Sequence, residues 1–358
     1  MKISEHRAPS VPNPPPAAEE PVARDRRTGG YKPGLAWSAA IGGAWVLVLV
    51  MMGAFTTSIN AGMVFPDWPL SNGSLNPVGW LHDAAMFAEH SHRLSAGLMS
   101  IITLAITAWV WTAEARPWVR RLAVGASVLI FVQAGVGGLR VLLDPQHLDL
   151  LNTSVGRIFA MAHAVLAQIF VGCLVVLALA LGRPWIEGGA PATPSTWRRL
   201  GVWCCGLLVA QLAIAAVMRH SFAGLAIPYF PQSTAEGGWL PAVWSFKVGI
   251  HFAHRAMAVV LTVALVALAI RVWRDGRAAA GAKRAATMLV ALLGLQIALG
   301  AASVLSLRDE RYTTAHVIVG AALLALTVGL TAWGFRFKPA PTIEDATTLE
   351  KKLTLRRA

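Results

Sequence analysis

Residues 158–182 read IFAMAHAVLAQIFVGCLVVLALALG, an apolar run that contains no Asp, Glu, Lys or Arg. A helix needs about 20 mostly apolar residues to cross the hydrocarbon core of a bilayer, so this stretch predicts a membrane-spanning helix. Seven further runs of similar character occur at 36–59, 91–112, 120–142, 199–219, 250–272, 285–306 and 313–335. The sequence therefore predicts an all-α membrane protein with eight transmembrane helices.

The composition of the chain excludes several other classes of protein. Of the 358 residues, 56% are hydrophobic and 14% are charged, whereas soluble domains carry about 25% charged residues. The net charge of +13 does not indicate a nucleic-acid partner, because no soluble module with a basic face is visible. Cys173, Cys204 and Cys205 all lie in apolar runs, which excludes a disulfide framework and a CxxC metal site.

The positions of Lys and Arg predict the orientation in the membrane. Of the 31 Lys and Arg residues, 23 lie in five segments: 1–35, 113–121, 183–199, 271–284 and 336–358. By the positive-inside rule, these segments and therefore both termini are cytoplasmic. We expect 1–35 to be a disordered N-terminal segment, 183–198 to be a cytoplasmic linker and 336–358 to be a cytoplasmic tail.

The two halves of the chain resemble each other at a shift of about 160 residues. Three pairs of segments or residues align: Glu89-His90-Ser91-His92-Arg93 with His251-Phe252-Ala253-His254-Arg255, Gln133 with Gln296, and Met161-Ala162-His163-Ala164 with Thr314-Ala315-His316-Val317. An even number of helices returns the chain to the same side of the membrane, so such a repeat is parallel. We expect two repeated four-helix bundles, an N-terminal half at 36–182 and a C-terminal half at 199–335.

Four histidines occupy the duplicated positions: His92, His163, His254 and His316. Each is expected near the outer end of its helix, and strongly coordinating residues inside membranes are usually functional. Two imidazoles on facing helices can bind a haem iron as axial ligands, so we predict one haem site in each half. Zinc is less favoured, because its sites use three or four protein ligands and no HExxH or CxxC motif occurs.

The residues next to these histidines suggest further roles. Arg93 and Arg255 each follow a histidine and could bind haem propionates. Glu89 precedes His92 by three residues, whereas His251 stands at the matching position before His254. A carboxyl group beside a haem can move protons or stabilise charge, so the first half is predicted to be the reactive one.

The chain resembles the haem A synthase (CtaA/Cox15) family in the order of its motifs. These are Glu-x-x-His-Arg in the second span, His-Arg in the sixth, and single histidines that open the fourth and eighth spans. The resemblance extends over about 36–335, and the loop Gly62-Met63-Val64-Phe65-Pro66-Asp67-Trp68-Pro69 is similar to that family's first outer loop. Many family members carry a pair of cysteines in outer loops, and this chain has none there.

The resemblance implies an enzyme that oxidises the C8 methyl group of haem O to a formyl group by successive hydroxylations. It implies that His92 and His163 bind the substrate haem O beside Glu89, and that His254 and His316 ligate a haem b that delivers electrons. The implied partners are haem O synthase (a protohaem farnesyltransferase), the cytochrome oxidase assembly pathway and membrane lipid, with a homo-oligomer left open. The acidic N-terminal segment favours a bacterial inner membrane over a mitochondrial one, with the haem sites near the periplasmic side.

Two other functions are consistent with the residues. A di-haem b electron-transfer cytochrome would hold a permanent haem in each half. Such a symmetrical protein has no need for a carboxylate beside the histidine of one half alone. A haem transporter or chaperone would suit the repeat architecture, although Gly-Pro interruptions at the midplane of the helices are not visible.

Overall fold

The computed structural model of the chain describes residues 30–148, 153–189, 191 and 195–336. The helices of this part are α1 (Pro33–Ser58), α2 (Ala84–Ala113), α3 (Pro117–Leu142), α4 (Val155–Leu181), α5 (Arg183–Ile186), α6 (Arg198–His220), α7 (Phe246–Arg274), α8 (Ala280–Leu305) and α9 (Glu310–Gly334). Two short strands, β1 (His147–Leu148) and β2 (Thr153–Ser154), pair antiparallel between α3 and α4. Within the described ranges, every helix except α5 is long and apolar enough to cross a membrane, which confirms the eight predicted spans.

The termini and the linker are only partly covered by the structure. Residues 1–29 and 337–358, which make up most of the predicted N-terminal segment and tail, lie outside the described residues. Helix α1 begins at Pro33, three residues before the predicted start, because proline fits the first turn of a helix, where its missing N–H has no partner to lose. The predicted linker contains the short helix α5. The orientation in the membrane and the duplication stay predictions.

Several helices begin earlier than the apolar runs predict. Helix α2 begins at Ala84, seven residues before the predicted start at 91, because Asp83 caps it by accepting hydrogen bonds from the N–H groups of Ala85 and Met86. Ser154 and Ser245 cap α4 and α7 in the same way. These first turns are too polar for a hydropathy scan to include. The predicted histidines therefore lie two turns inside their helices and not in the first turn.

The helices contact one another in a regular pattern. Helix α1 packs against α2 and α4, and α3 packs against the same two helices; α6 and α8 both pack against α7 and α9. Helix α4 also packs against α6 and α9, and α1 packs against α9. Apolar side chains fill the space between the first four helices around Met99, Phe170 and Leu174, and a second core surrounds Leu265 and Leu289. Each predicted histidine pair is thus carried by helices of one packed group.

Candidate functional site

The four predicted histidines lie at similar depths in their helices. His92, His163 and His254 are each the ninth residue of α2, α4 and α7, and His316 is the seventh residue of α9. At 1.5 Å per residue, these positions are roughly 9 to 12 Å from the start of each helix.

The two histidines of the second half face each other. The ring centres of His254 and His316 are 6.4 Å apart, and their planes are inclined by 61°. Nδ1 of His316 lies 3.1 Å from the main-chain oxygen of Gln296. Since a carbonyl oxygen only accepts, this Nδ1 carries the proton and leaves the lone pair on Nε2. Nδ1 of His254 is buried and has no hydrogen-bond partner among the described residues.

The first half repeats part of this arrangement. Nδ1 of His163 donates to the main-chain oxygen of Gln133 at 3.0 Å, and the side-chain amide of Gln133 donates to the His163 carbonyl at 2.9 Å. The lone pair of His163 therefore also lies on Nε2. Nδ1 of His92 is buried and, within the described part of the chain, unpartnered.

Glycines on neighbouring helices pack directly against three of the four rings. A Cβ atom at Gly53 would lie 2.9 Å from Cε1 of His92, one at Gly137 would lie 2.8 Å from Cε1 of His163, and one at Gly300 would lie 3.0 Å from Cε1 of His316. Any side chain there would displace the ring. Sequence reasoning missed these glycines, although Gly137 and Gly300 are separated by the same interval as Gln133 and Gln296.

Glu89 binds the first outer loop. The side chain is 4% exposed, and its Oε2 accepts hydrogen bonds from the N–H groups of Val64 at 2.6 Å and Phe65 at 3.2 Å. Its other oxygen, Oε1, forms a 2.6 Å ion pair with Arg93. The carboxylate thus fastens the loop 59–83 onto α2, a function that the sequence did not reveal.

Arg93 and Arg255 bind main-chain carbonyls of the two outer loops. Arg93 donates to the carbonyl oxygens of Phe65, Asp67 and Leu70. Arg255 donates to those of three residues in the second loop: Ile227, Tyr229 and Gln232. Each of these carbonyls lies 162 residues after its counterpart in the first loop, which is also the interval between the two arginines.

His251 takes the place of Glu89 in the second half. Its Nδ1 accepts a hydrogen bond from the N–H of Ile227 at 3.2 Å, and Ile227 is the counterpart of Phe65. In both halves, therefore, the residue three positions before the candidate histidine binds the outer loop. Only the first half uses a charged acceptor for this purpose.

Further contacts shape the first outer loop. His90 is buried, with Nδ1 2.9 Å from the hydroxyl of Ser71 and its ring 4.7 Å from that of Trp80. These contacts hold the ring of His90, a residue of α2, against the first outer loop. Asp67 accepts hydrogen bonds from the N–H groups of Asn72 and Gly73, both at 2.7 Å. Burial acts to raise the pKa of Asp67, but these hydrogen bonds outweigh it and hold the pKa below its ordinary value.

Larger metal clusters are not found in the part of the chain that the structure describes. No group of three or more His, Cys, Asp and Glu side chains there could hold a metal ion. Cys173, Cys204 and Cys205 are free thiols. The candidate ligands therefore come as pairs of histidines, an arrangement that suits a metal already bound on four sides by another group.

Comparison with known proteins identifies the family. The chain is 26% identical over 286 residues to a protein named "Heme A synthase" from Bacillus licheniformis, covering 78% of this chain and 89% of the relative. It is 29% identical over 268 residues to a protein of the same name from Symbiobacterium thermophilum, covering 72% and 81%. Residues 36–328 match the family COX15-CtaA, described as cytochrome oxidase assembly protein. Because this match runs from the first turn of α1 to within six residues of the end of α9 and so includes most of the sequence, the chain belongs to the COX15-CtaA family of cytochrome oxidase assembly proteins.

Proposed function

We propose that this chain is a haem A synthase, an enzyme that oxidises the C8 methyl group of haem O to a formyl group. The observation that carries the proposal is the facing pair His254 and His316 in a chain whose relatives are named "Heme A synthase". The conversion takes two successive hydroxylations of the methyl carbon followed by loss of water. The function is thus an oxidation within haem A synthesis.

The second half fits a resident haem b held by His254 and His316. The separation of 6.4 Å between the two ring centres leaves room for a haem iron, which both imidazoles would hold. The proton on Nδ1 of His316 leaves Nε2 unprotonated and able to bind a metal; in the structure this nitrogen lies 3.2 Å from Nε2 of Gln296. When bound, this haem supplies electrons for the oxidation.

The first half fits the substrate haem O, with His92 and His163 as the proposed ligands. Gln133 fixes the ring of His163 by accepting from Nδ1, and Gly53 and Gly137 leave room for both imidazoles. Such preorganisation fixes the positions of the two ligand side chains between which the substrate would bind.

Glu89 is the proposed residue beside the reacting edge. Its carboxylate is an acceptor in every hydrogen bond that the structure describes for it, and it holds the loop 59–83 over the start of α2. We assign it two tasks: to keep water out by fastening the loop, and to accept a proton at Oε2 when the loop amides release it. In the second half His251 stands at the position that matches Glu89, so no carboxylate occupies that position, in agreement with a reaction confined to the first half.

Arg93 and Arg255 remain predicted propionate ligands from the sequence, but the geometry supports another role. Both terminal nitrogens of Arg93 make two hydrogen bonds each, so all four of their N–H groups are used. Three carbonyls of the second loop occupy the terminal nitrogens of Arg255. We propose that these arginines hold the loops over the two haem sites.

The proposed setting is a bacterial inner membrane, crossed eight times, with the haem sites toward the periplasmic side. The distribution of Lys and Arg along the sequence supports this orientation. Haem O synthase would supply the substrate, and the product would pass to cytochrome oxidase assembly.

Co-expression tests the proposal. The chain is produced with a haem O-forming farnesyltransferase in a host that cannot make haem A, and the extracted haems are separated by chromatography. Haem A or its hydroxylated precursor is the expected product, and Glu89→Gln should yield less of it while keeping haem b. Unconverted haem O beside a folded, haem-loaded protein would refute the proposal.

The matching Gln–His contacts of the two halves favour one alternative, a di-haem b electron-transfer cytochrome. In the same experiment that protein would contain haem b in both halves and leave haem O unconverted.

A further inference from the structure

A cavity of about 170 Å³ lies where the first and second groups of helices meet, beside the two outer loops. Its wall includes four arginines, Arg140, Arg157, Arg219 and Arg308, and one carboxylate, Asp144. These residues come from the end of α3, the start of α4, the end of α6 and the connection before α9. Five charged side chains around so small a space leave it strongly positive.

The four arginines outnumber the carboxylates near them, since only Glu89 and Asp144 among the described carboxylates act electrostatically on Arg140. Among the described residues, none of the four arginines forms a salt bridge. One oxygen of Asp144 accepts a hydrogen bond from the hydroxyl of Ser154 at 2.8 Å. Taking an unpaired cation out of water costs several kcal/mol, so a group of them at a half-enclosed position calls for a bound anion.

Neutral groups of the protein hold two of these arginines, Arg219 and Arg157, in place. One terminal nitrogen of Arg219 donates to the carbonyl of Ala54 at 2.9 Å and to the hydroxyl of Ser58 at 2.8 Å, while its buried Nε has no partner in the described part of the chain. The guanidinium of Arg157 lies 5.2 Å from the ring centre of Phe222. These contacts orient the side chains and leave donors free.

The cavity lies next to His92 and His163, on the side of the outer loops. Arg140 follows Gly137, the glycine against His163, by three residues on α3, about one helical turn or 5 Å. Ala160, another residue of the wall, precedes His163 by three residues on α4. Arg219 binds Ala54, which follows the glycine against His92. A porphyrin at this histidine pair would thus have the arginines within reach of one edge.

We propose that this cavity is an oxyanion site for the two propionate carboxylates of the haem in the first half, an inference that rests on the proposed function. Guanidinium groups bind carboxylates through paired N–H donors, and two carboxylates offset most of the positive charge around the cavity. Arg140 and Arg219 are the principal ligands. Binding here fixes the rotation of the porphyrin about the axis between His92 and His163, and so determines which methyl group faces Glu89.

Phosphate offers the same oxyanion chemistry, either free or in a lipid headgroup, so the test must separate these sources. The purified full chain, with haem b in its second half, is titrated with haem and with haem dimethyl ester, which lacks the two carboxylate charges. The wild-type chain is compared with Arg140→Gln, Arg219→Gln and a control, Arg311→Gln, whose guanidinium is exposed and paired with Asp309. His163→Leu identifies binding to the first half.

The wild-type chain and Arg311→Gln should bind haem at least about tenfold more tightly than the ester, since hydrogen bonds between charged groups are worth that factor or more. In Arg140→Gln and Arg219→Gln the ratio should fall toward one. Because each ratio compares two ligands on one protein, a general loss of stability leaves it unchanged.

Three results would overturn the assignment. The cavity variants could keep the full preference for the free acid. Haem and ester could bind wild-type protein equally, while millimolar inorganic phosphate or a co-purified anionic phospholipid binds and is lost in the variants, which identifies a phosphate site. Finally, His163→Leu could leave the haem affinity unchanged. That result would refute the proposed haem site in the first half, and this propionate site with it.

Discussion

Replacing Gly300 by alanine tests the second histidine pair with one methyl group. The new Cβ would lie 3.0 Å from Cε1 of His316, whereas carbon atoms attract each other best at about 3.5–4.0 Å. The imidazole must therefore give way by a few tenths of an ångström. Metal–ligand distances tolerate deviations of only about 0.2 Å, so the ring can no longer occupy its ligand position without strain.

The expected size of the effect follows from this overlap. Inserting a methyl group into a filled space costs about 1–3 kcal/mol. At 1.4 kcal/mol per factor of ten, haem b should bind roughly 5- to 150-fold more weakly to Gly300→Ala. The fold itself should not suffer to the same degree, because alanine favours a helix over glycine by about 1 kcal/mol.

The assay is a haem titration of purified protein, followed by the spectrum of the reduced haem, with thermal unfolding measured in parallel. Gly294→Ala is the matched control, since it lies on the same helix and a Cβ there meets no atom within 4 Å. Equal haem affinity in Gly300→Ala and Gly294→Ala would falsify the placement of His316 as a ligand packed against Gly300.

Three further predictions concern single side chains. Arg93→Leu leaves the buried carboxylate of Glu89 without its ion pair, at a cost of about 3–5 kcal/mol; limited proteolysis of the first outer loop should speed up, and a rate no faster than that of Arg311→Leu would contradict this. His254→Leu should abolish the spectrum of reduced haem b, and an unchanged spectrum would show that the two halves are assigned the wrong way round. Because its pKa is lowered in the folded chain, Asp67 stabilises the first outer loop above its ordinary pKa of 3.8, and this stability is lost as the pH falls through the lowered value. The protection of the loop's amides, measured relative to their intrinsic exchange rates at each pH, should therefore fall at acidic pH in the wild-type chain, and Asp67→Asn should remove that pH dependence.

Hydropathy predicts the eight spanning helices because a bilayer leaves a crossing chain few ways to satisfy its main-chain groups. It fails where a helix continues past the apolar run. Helix α2 begins at Ala84 because Asp83 caps it, and its first turns carry Glu89, whose charge a hydropathy scan assigns to a loop. The order of helices was thus predictable, whereas their starts depend on caps and on partners elsewhere in the fold.

The candidate site was likewise predictable from the sequence only in part. The paired histidines could be found because they recur in matching segments of the two halves, at intervals of 162 and 153 residues, and His254 and His316 do face each other. The partners of Glu89 could not be found, because Val64 and Phe65 reach it only after the loop has folded back onto α2. The cluster around Arg140 and Arg219 combines residues from several separate segments, none of which forms a motif on its own.

The hydrogen bonds of Arg93 and Arg255 to the outer loops affect which substitutions the two loops can accept during evolution. Both arginines bind carbonyl oxygens, which every amino acid has, at the same three positions of each loop. A substitution in either loop therefore alters the surface over its site while the scaffold is kept, provided that the main chain can hold its path. Under the proposed function, this freedom would let the loop of the first half adapt to a substrate and the loop of the second half adapt to a retained cofactor.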